Sequence, residues 1–194
     1  LLEVMSSRPG PLQLEALCRL GLLLDETVGG DTALPVFERA LTASLDPAIL
    51  SQAHRGLAQS MAYVGDLRAA AGHADAAALA AEAAASDDLL APALGMQALV
   101  RTLSGRDDWH EPLEHALALE ARHGARDLDG CPTACAAEIH RLTLELDEAR
   151  GALSSMLARS LDHGDVRMEV WSRYGLAAGE IAAGRWDVAG EHAE

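Results

Sequence analysis

A small residue returns along this chain at an almost even pace. Ala33, Ala70, Ala149 and Ala189 each follow a turn-forming stretch, and Trp109 holds the corresponding place between the second and third of them. The spacings are 37, 39, 40 and 40 residues. The first four sites continue alike, as Ala33-x3-Phe37-x2-Ala40, Ala70-x3-Ala74-x2-Ala77, Trp109-x3-Leu113-x2-Ala116 and Ala149-x3-Leu153-x2-Met156. Self-similarity at about 20 to 50 residues marks a stack of small units, each leaving an apolar face that only its neighbour can cover. Intervals of three and four residues place the repeated positions on one helical face. Hydrophobic residues make up 49% of the chain but aromatics only 3%. Its interior must therefore be filled by Ala and Leu, which favour helix and let helix axes approach closely.

The phrase that repeats has a recognisable form. Leu17-Cys18-Arg19-Leu20-Gly21-Leu22-Leu23-Leu24, followed by Ala33-x3-Phe37-x2-Ala40, resembles the tetratricopeptide pattern of a bulky residue, Leu-Gly, a second bulky residue and then Ala-x3-Phe. Later units carry Leu57-Ala58-x2-Met61, then Ala93, Met96 and Val100, then Leu146-Asp147-Glu148-Ala149, and finally Gly184-Arg185-Trp186-Asp187-Val188-Ala189. The spacing exceeds the family's usual period of about 34, which predicts longer helices or loops. Small residues at Gly21, Ala58, Ala70, Ala149 and Ala189 are expected where paired helices cross. Asp46-Pro47 reads as an N-cap with Pro at the first helical position. Asp129-Gly130-Cys131-Pro132 and Gly164-Asp165 read as breaks and restarts. Gly29-Gly30, Gly65, Gly105 and Gly184 serve turns, with Leu144 where the fourth unit should have its glycine. The expected fold for residues 1–194 is one all-α domain, an α-solenoid of four to five tetratricopeptide-like helix pairs in a right-handed superhelix. A plain helical bundle is the alternative.

Phrases such as Gly65-Asp66-Leu67-Arg68-Ala69-Ala70 and Leu146-Asp147-Glu148-Ala149-Arg150 resemble, more narrowly, the repeat region of the large ATP-binding LuxR-type regulators of actinomycetes, relatives of the bacterial maltose-operon activator. The resemblance implies a sensor arm that receives an inducer or partner protein between an ATPase and a helix-turn-helix. Neither flanking function is written here. G-x-x-x-x-G-K-[ST] is missing, and no basic recognition helix is evident. The segment reads as a piece of a larger protein, with both ends lying inside patterned sequence. Exposed apolar ends of such a piece make a homodimer possible.

All fifteen basic residues are Arg, and neither Lys nor Asn occurs, the stamp of a GC-rich genome. Lysine-dependent chemistry is thereby excluded from this segment. A net charge of −15 opposes direct contact with nucleic acid. The three cysteines form no disulfide framework, and no apolar run is long enough to span a bilayer, so a cytoplasmic location is expected.

For chemistry, Cys131-x3-Cys135 with His140 offers metal-ligand types, but the same residues serve equally as packing, and no metal or cofactor is expected in the segment. The acidic runs Asp87-Asp88, Asp107-Asp108 and Glu145-x-Asp147-Glu148 fall at turns or helix starts, where carboxylates cap helices. No nucleophile–base set can be read, so an enzyme is not expected. The remaining reading is a concave groove lined by the first helix of each unit. Glu15, Asp25 and Glu26 are candidates from the first unit, Gln52, Arg55, Gln59 and Tyr63 from the second, and Arg101 from the third. Glu138 and Arg141 come from the fourth, Trp171 and Tyr174 from the fifth. Arg grips carboxylates and Trp and Tyr give rigid contact area; a solvated polar face is the competing reading. The expected occupant is a protein segment or a small inducer, and a free-standing scaffold for protein assembly is the alternative function.

Overall fold

The computed structural model describes residues 9–124, 128 and 130–193. Among them lie ten helices and no strand. They are α1 (Pro11–Thr27), α2 (Gly30–Ala43), α3 (Pro47–Tyr63), α4 (Leu67–Ala83), α5 (Asp87–Leu103), α6 (His110–His123), α7 (Pro132–Leu142), α8 (Leu146–His163), α9 (Val166–Ala182) and α10 (Trp186–Ala193). Each helix packs on the next in sequence, and α3 also packs on α1 and α5, as α5 does on α7. Two seventeen-residue helices joined by three-residue turns account for the 40 residues 47–86 that precede α5. In this unit the long period comes from longer helices with short turns, whereas further on the α5–α6 and α6–α7 connections, residues 104–109 and 124–131, are the longer parts.

Several of the turns share one geometry. Asp66 N–H donates to the Met61 carbonyl, Ser86 to Ala81, Arg106 to Arg101, Glu145 to His140 and Arg185 to Glu180. This bond closes a helix end when the residue before the donor turns left-handed. Gly65, Gly105 and Gly184 do so at φ of 86°, 69° and 75°. Ala85 and Leu144 do the same at 49° and 63°, although they carry a Cβ. Leu144 therefore occupies the glycine position of its unit in conformation as well as in register. At the other helix ends, the Asp46, Asp66 and Asp165 side chains accept from backbone N–H groups of the first turn. Of the expected break at 129–132, Asp129 lies outside the described residues; Pro132 opens α7.

The five evenly spaced residues are all buried, Ala33 and Ala70 completely. Trp109 fits in a different way from the alanines. It sits just before α6, stacks on His110 with ring centroids 3.6 Å apart, and packs with Ala98, Leu113, Ala136 and Ile139 between α5 and α7. At the N-terminal end Phe37, fully buried, lies between Gly21 of α1 and Gly56 of α3. A Cβ at Gly21 would fall 2.5 Å from the ring, and one at Gly56 closer still. No helix among the described residues is long and apolar enough to cross a membrane.

Candidate functional site

A cavity lies where α1, α3, the start of α5, the end of α6 and the start of α7 come together. Its volume is about 110 Å³. The cleft between α8 and α9 beside Arg141 and Glu180, at about 10 Å³, has room for a single water. Gly124 and Cys131, from the two ends of the α6–α7 connection, and Pro132 at the start of α7 line one side of the larger cavity.

Most charged groups around the cavity are answered by neighbours. Arg19 reaches Glu15 at 3.2 Å, and His123 Nε2 lies 3.0 Å from the Asp87 carboxylate. Glu120, at the end of α6 and only 7% exposed, accepts from Thr133 N and Thr133 Oγ1, both at 2.8 Å, and from Arg159 Nη1 at 2.7 Å. These bonds tie α6, α7 and α8 together, because burying a carboxylate requires donors for its oxygens. Arg55 is different. Its Nη1 is buried, lies against Gly130, and has no hydrogen-bond partner. Nearby Cys18 is almost fully buried, and burial pushes its thiol up to about 11, with the Arg55 charge opposing.

Of the residues expected in the groove, the structure brings Glu15, Gln52 and Arg55 to this cavity. Gln59 is buried and donates to Asp25 at 3.3 Å, so this pair joins α3 to α1 inside the stack. The side chain of Glu26 lies outside the described residues. Tyr63 is exposed at the end of α3. Arg101 turns to the α5–α6 junction, donating to the Asp108 carbonyl at 2.9 Å and lying 3.9 Å from Asp75 of α4. Glu138 and Arg141 pair with each other at 2.9 and 2.5 Å. Trp171 is half-buried against Met156, Met168 and Leu176, while Tyr174 on the same helix is exposed. The expected row is therefore divided among one cavity, local ion pairs and core contacts.

Cys131 and Cys135 are both buried. Cys131 Sγ lies 3.6 Å from Met156 Sδ, and its thiol is pushed up to about 11 by burial. Cys135 packs on Gly95, where a Cβ would fall 3.2 Å from Sγ. Among the described residues, no three His, Cys, Asp or Glu side chains converge as a metal site would need.

Asp88 and Pro92 also line the cavity, and their part in it was not read from the sequence. A signal existed. Pro92 stands inside α5, and a proline there has no N–H for the carbonyl four residues earlier, which belongs to Asp88. No protein-family model and no characterised protein sequence matches this chain.

Proposed function

We infer that the chain is a tetratricopeptide-like α-solenoid with a right-handed superhelix, and that it works as a ligand- or partner-binding module, the sensor arm of a bacterial transcriptional regulator. The observation that carries the binding reading is Arg55. A cationic nitrogen buried without a partner costs stability, and residues kept at such a cost concentrate where function needs them. Arg55 lines the cavity, between helices from several units. The helix order, with α3 and α5 each packed on the odd-numbered helices beside them, supports the solenoid. The sensor-arm assignment rests on the repeat phrases alone.

The binding reading is tested by screening peptides and small metabolites for thermal stabilisation of the chain, then repeating each hit with Arg55→Ala and with Arg141→Ala. Loss of the hit in Arg55→Ala, with little change in Arg141→Ala, is the expected result, because Arg141 is already held by Glu138. Hits that survive Arg55→Ala place the site elsewhere. The regulator reading is tested in the genome: a P-loop upstream and a helix-turn-helix downstream of this segment support it, and a complete short gene with neither refutes it.

A further inference from the structure

The charge pattern of the cavity selects among ligands, and this inference rests on reading the cavity as the binding site. Glu15 and Glu120 are each answered by an arginine, and Asp87 lies against His123. Among the described residues, two charged groups on the wall remain. One is Arg55, whose Nη1 is buried with no hydrogen-bond partner. The other is Asp88, exposed at the start of α5 and in no ion pair among the described residues. Pro92, on the same wall, offers no N–H to the Asp88 carbonyl. The Asp88 carboxylate offers two oxygen acceptors on this wall.

A guanidinium with a buried, unpartnered nitrogen is best answered by a carboxylate, which it grips through two N–H groups. A pair of oxygen acceptors is best answered by an ammonium, with its three N–H donors. An anion alone would meet the carboxylates already on the wall, and a cation alone would leave Arg55 unanswered. Size narrows the choice further. A cavity of about 110 Å³ is smaller than the roughly 150 Å³ that holds benzene, and well below the roughly 300 Å³ at which drug-sized pockets begin. It admits a head group of a few heavy atoms. We propose that the cavity binds a small zwitterion of the α-amino-acid type, its carboxylate on Arg55 and its ammonium on Asp88.

The test uses three probes, glycine, acetate and methylammonium, titrated at matched ionic strength into the isotope-labelled chain. The readouts are the Arg55 side-chain Nε–H resonance and the Gln52 and Gly130 backbone amides. Glycine is expected to shift them saturably, with a midpoint at least tenfold tighter than acetate, and methylammonium to leave them still. Asp88→Asn should bring glycine to the level of acetate. Arg55→Met should abolish the amide response while the chain stays folded, with a melting midpoint at or above that of the parent. A structural arginine would instead lose several degrees on that change, and such a loss overturns the proposal. Equal midpoints for glycine and acetate, or a response that survives Arg55→Met, overturn it too. If a ligand from the wider screen needs Arg55 while glycine has no effect, the zwitterion falls and the binding module stands.

Discussion

The stack from α3 to α5 and the seam from α6 to α8 solve the same packing problem by different means. In the first, Ala58, Ala70 and Ala74 are buried against Met96 and Val100, and turns of three residues join the helices. Small side chains let the helices close, and the turn geometry sets their direction. In the second, residues 124–131 separate α6 from α7. A buried carboxylate, Glu120, takes over there, holding Thr133 at the start of α7 and Arg159 of α8. Apolar packing tolerates small slips, whereas three directed hydrogen bonds fix an orientation. The cavity opens beside this seam, and the Glu120 network ties α6 to α7 and α8 there.

The comparison is broken most directly at its apolar end. Phe37→Ala removes the ring between Gly21 and Gly56 and is expected to cost about 4 kcal/mol in denaturant unfolding; a loss below about 1 kcal/mol would show that the wedge does not hold α1 to α3. Glu120→Ala is expected to cost about 2 kcal/mol, since Arg159 keeps some solvent contact but the Thr133 N–H loses its acceptor. Hydrogen exchange should then quicken at the start of α7 and remain slow in α3 and α4; uniform acceleration would erase the distinction between the two regions. Leu144→Gly should raise stability by about 1 kcal/mol, because a left-handed conformation strains any residue with a Cβ.

The smallest effect concerns pH. His54 of α3 and His73 of α4 meet Nδ1 to Nδ1 at 2.9 Å, a contact that needs one nitrogen bare. Burial lowers both histidines below their ordinary value of 6.5; each ring's partner adds to this for His54, and Glu38 opposes it for His73. The unfolded chain therefore takes up protons first. Stability is full above about pH 6.5 and falls as the pH drops below it. Partial exposure of both rings keeps the loss small. Melting curves between pH 7.5 and 5 should show a decline that is weaker in His54→Gln; a rise on acidification would contradict it.

Much of the helical order could be read from spacing, because an even period and a small residue at each crossing are local facts. Asp46-Pro47 opened α3 as expected, and Leu144 took the turn its position demanded. Gly56 was overlooked, although a glycine inside a helix costs about 1 kcal/mol relative to alanine and so called for a packing reason. The site was far less legible. The pairing of Glu138 with Arg141 is local and was implicit in their separation along one helix. Arg55 could not be told from Arg101 or Arg141 in the sequence, since its isolation depends on which helices meet around it. Charge and residue type are written in the chain, but the absence of a partner is a property of the assembled fold.

The Phe37 wedge also constrains how this chain can diverge. One aromatic ring fills space left by glycines on two other helices, so the three positions form a lock with a single key. A relative with a side chain at position 21 or 56 must carry something smaller at 37, and one that loses the ring gains freedom at both glycines. Residues 21, 37 and 56 should therefore change together, and their joint drift would register the geometry of α1, α2 and α3 in sequences whose structures have never been seen.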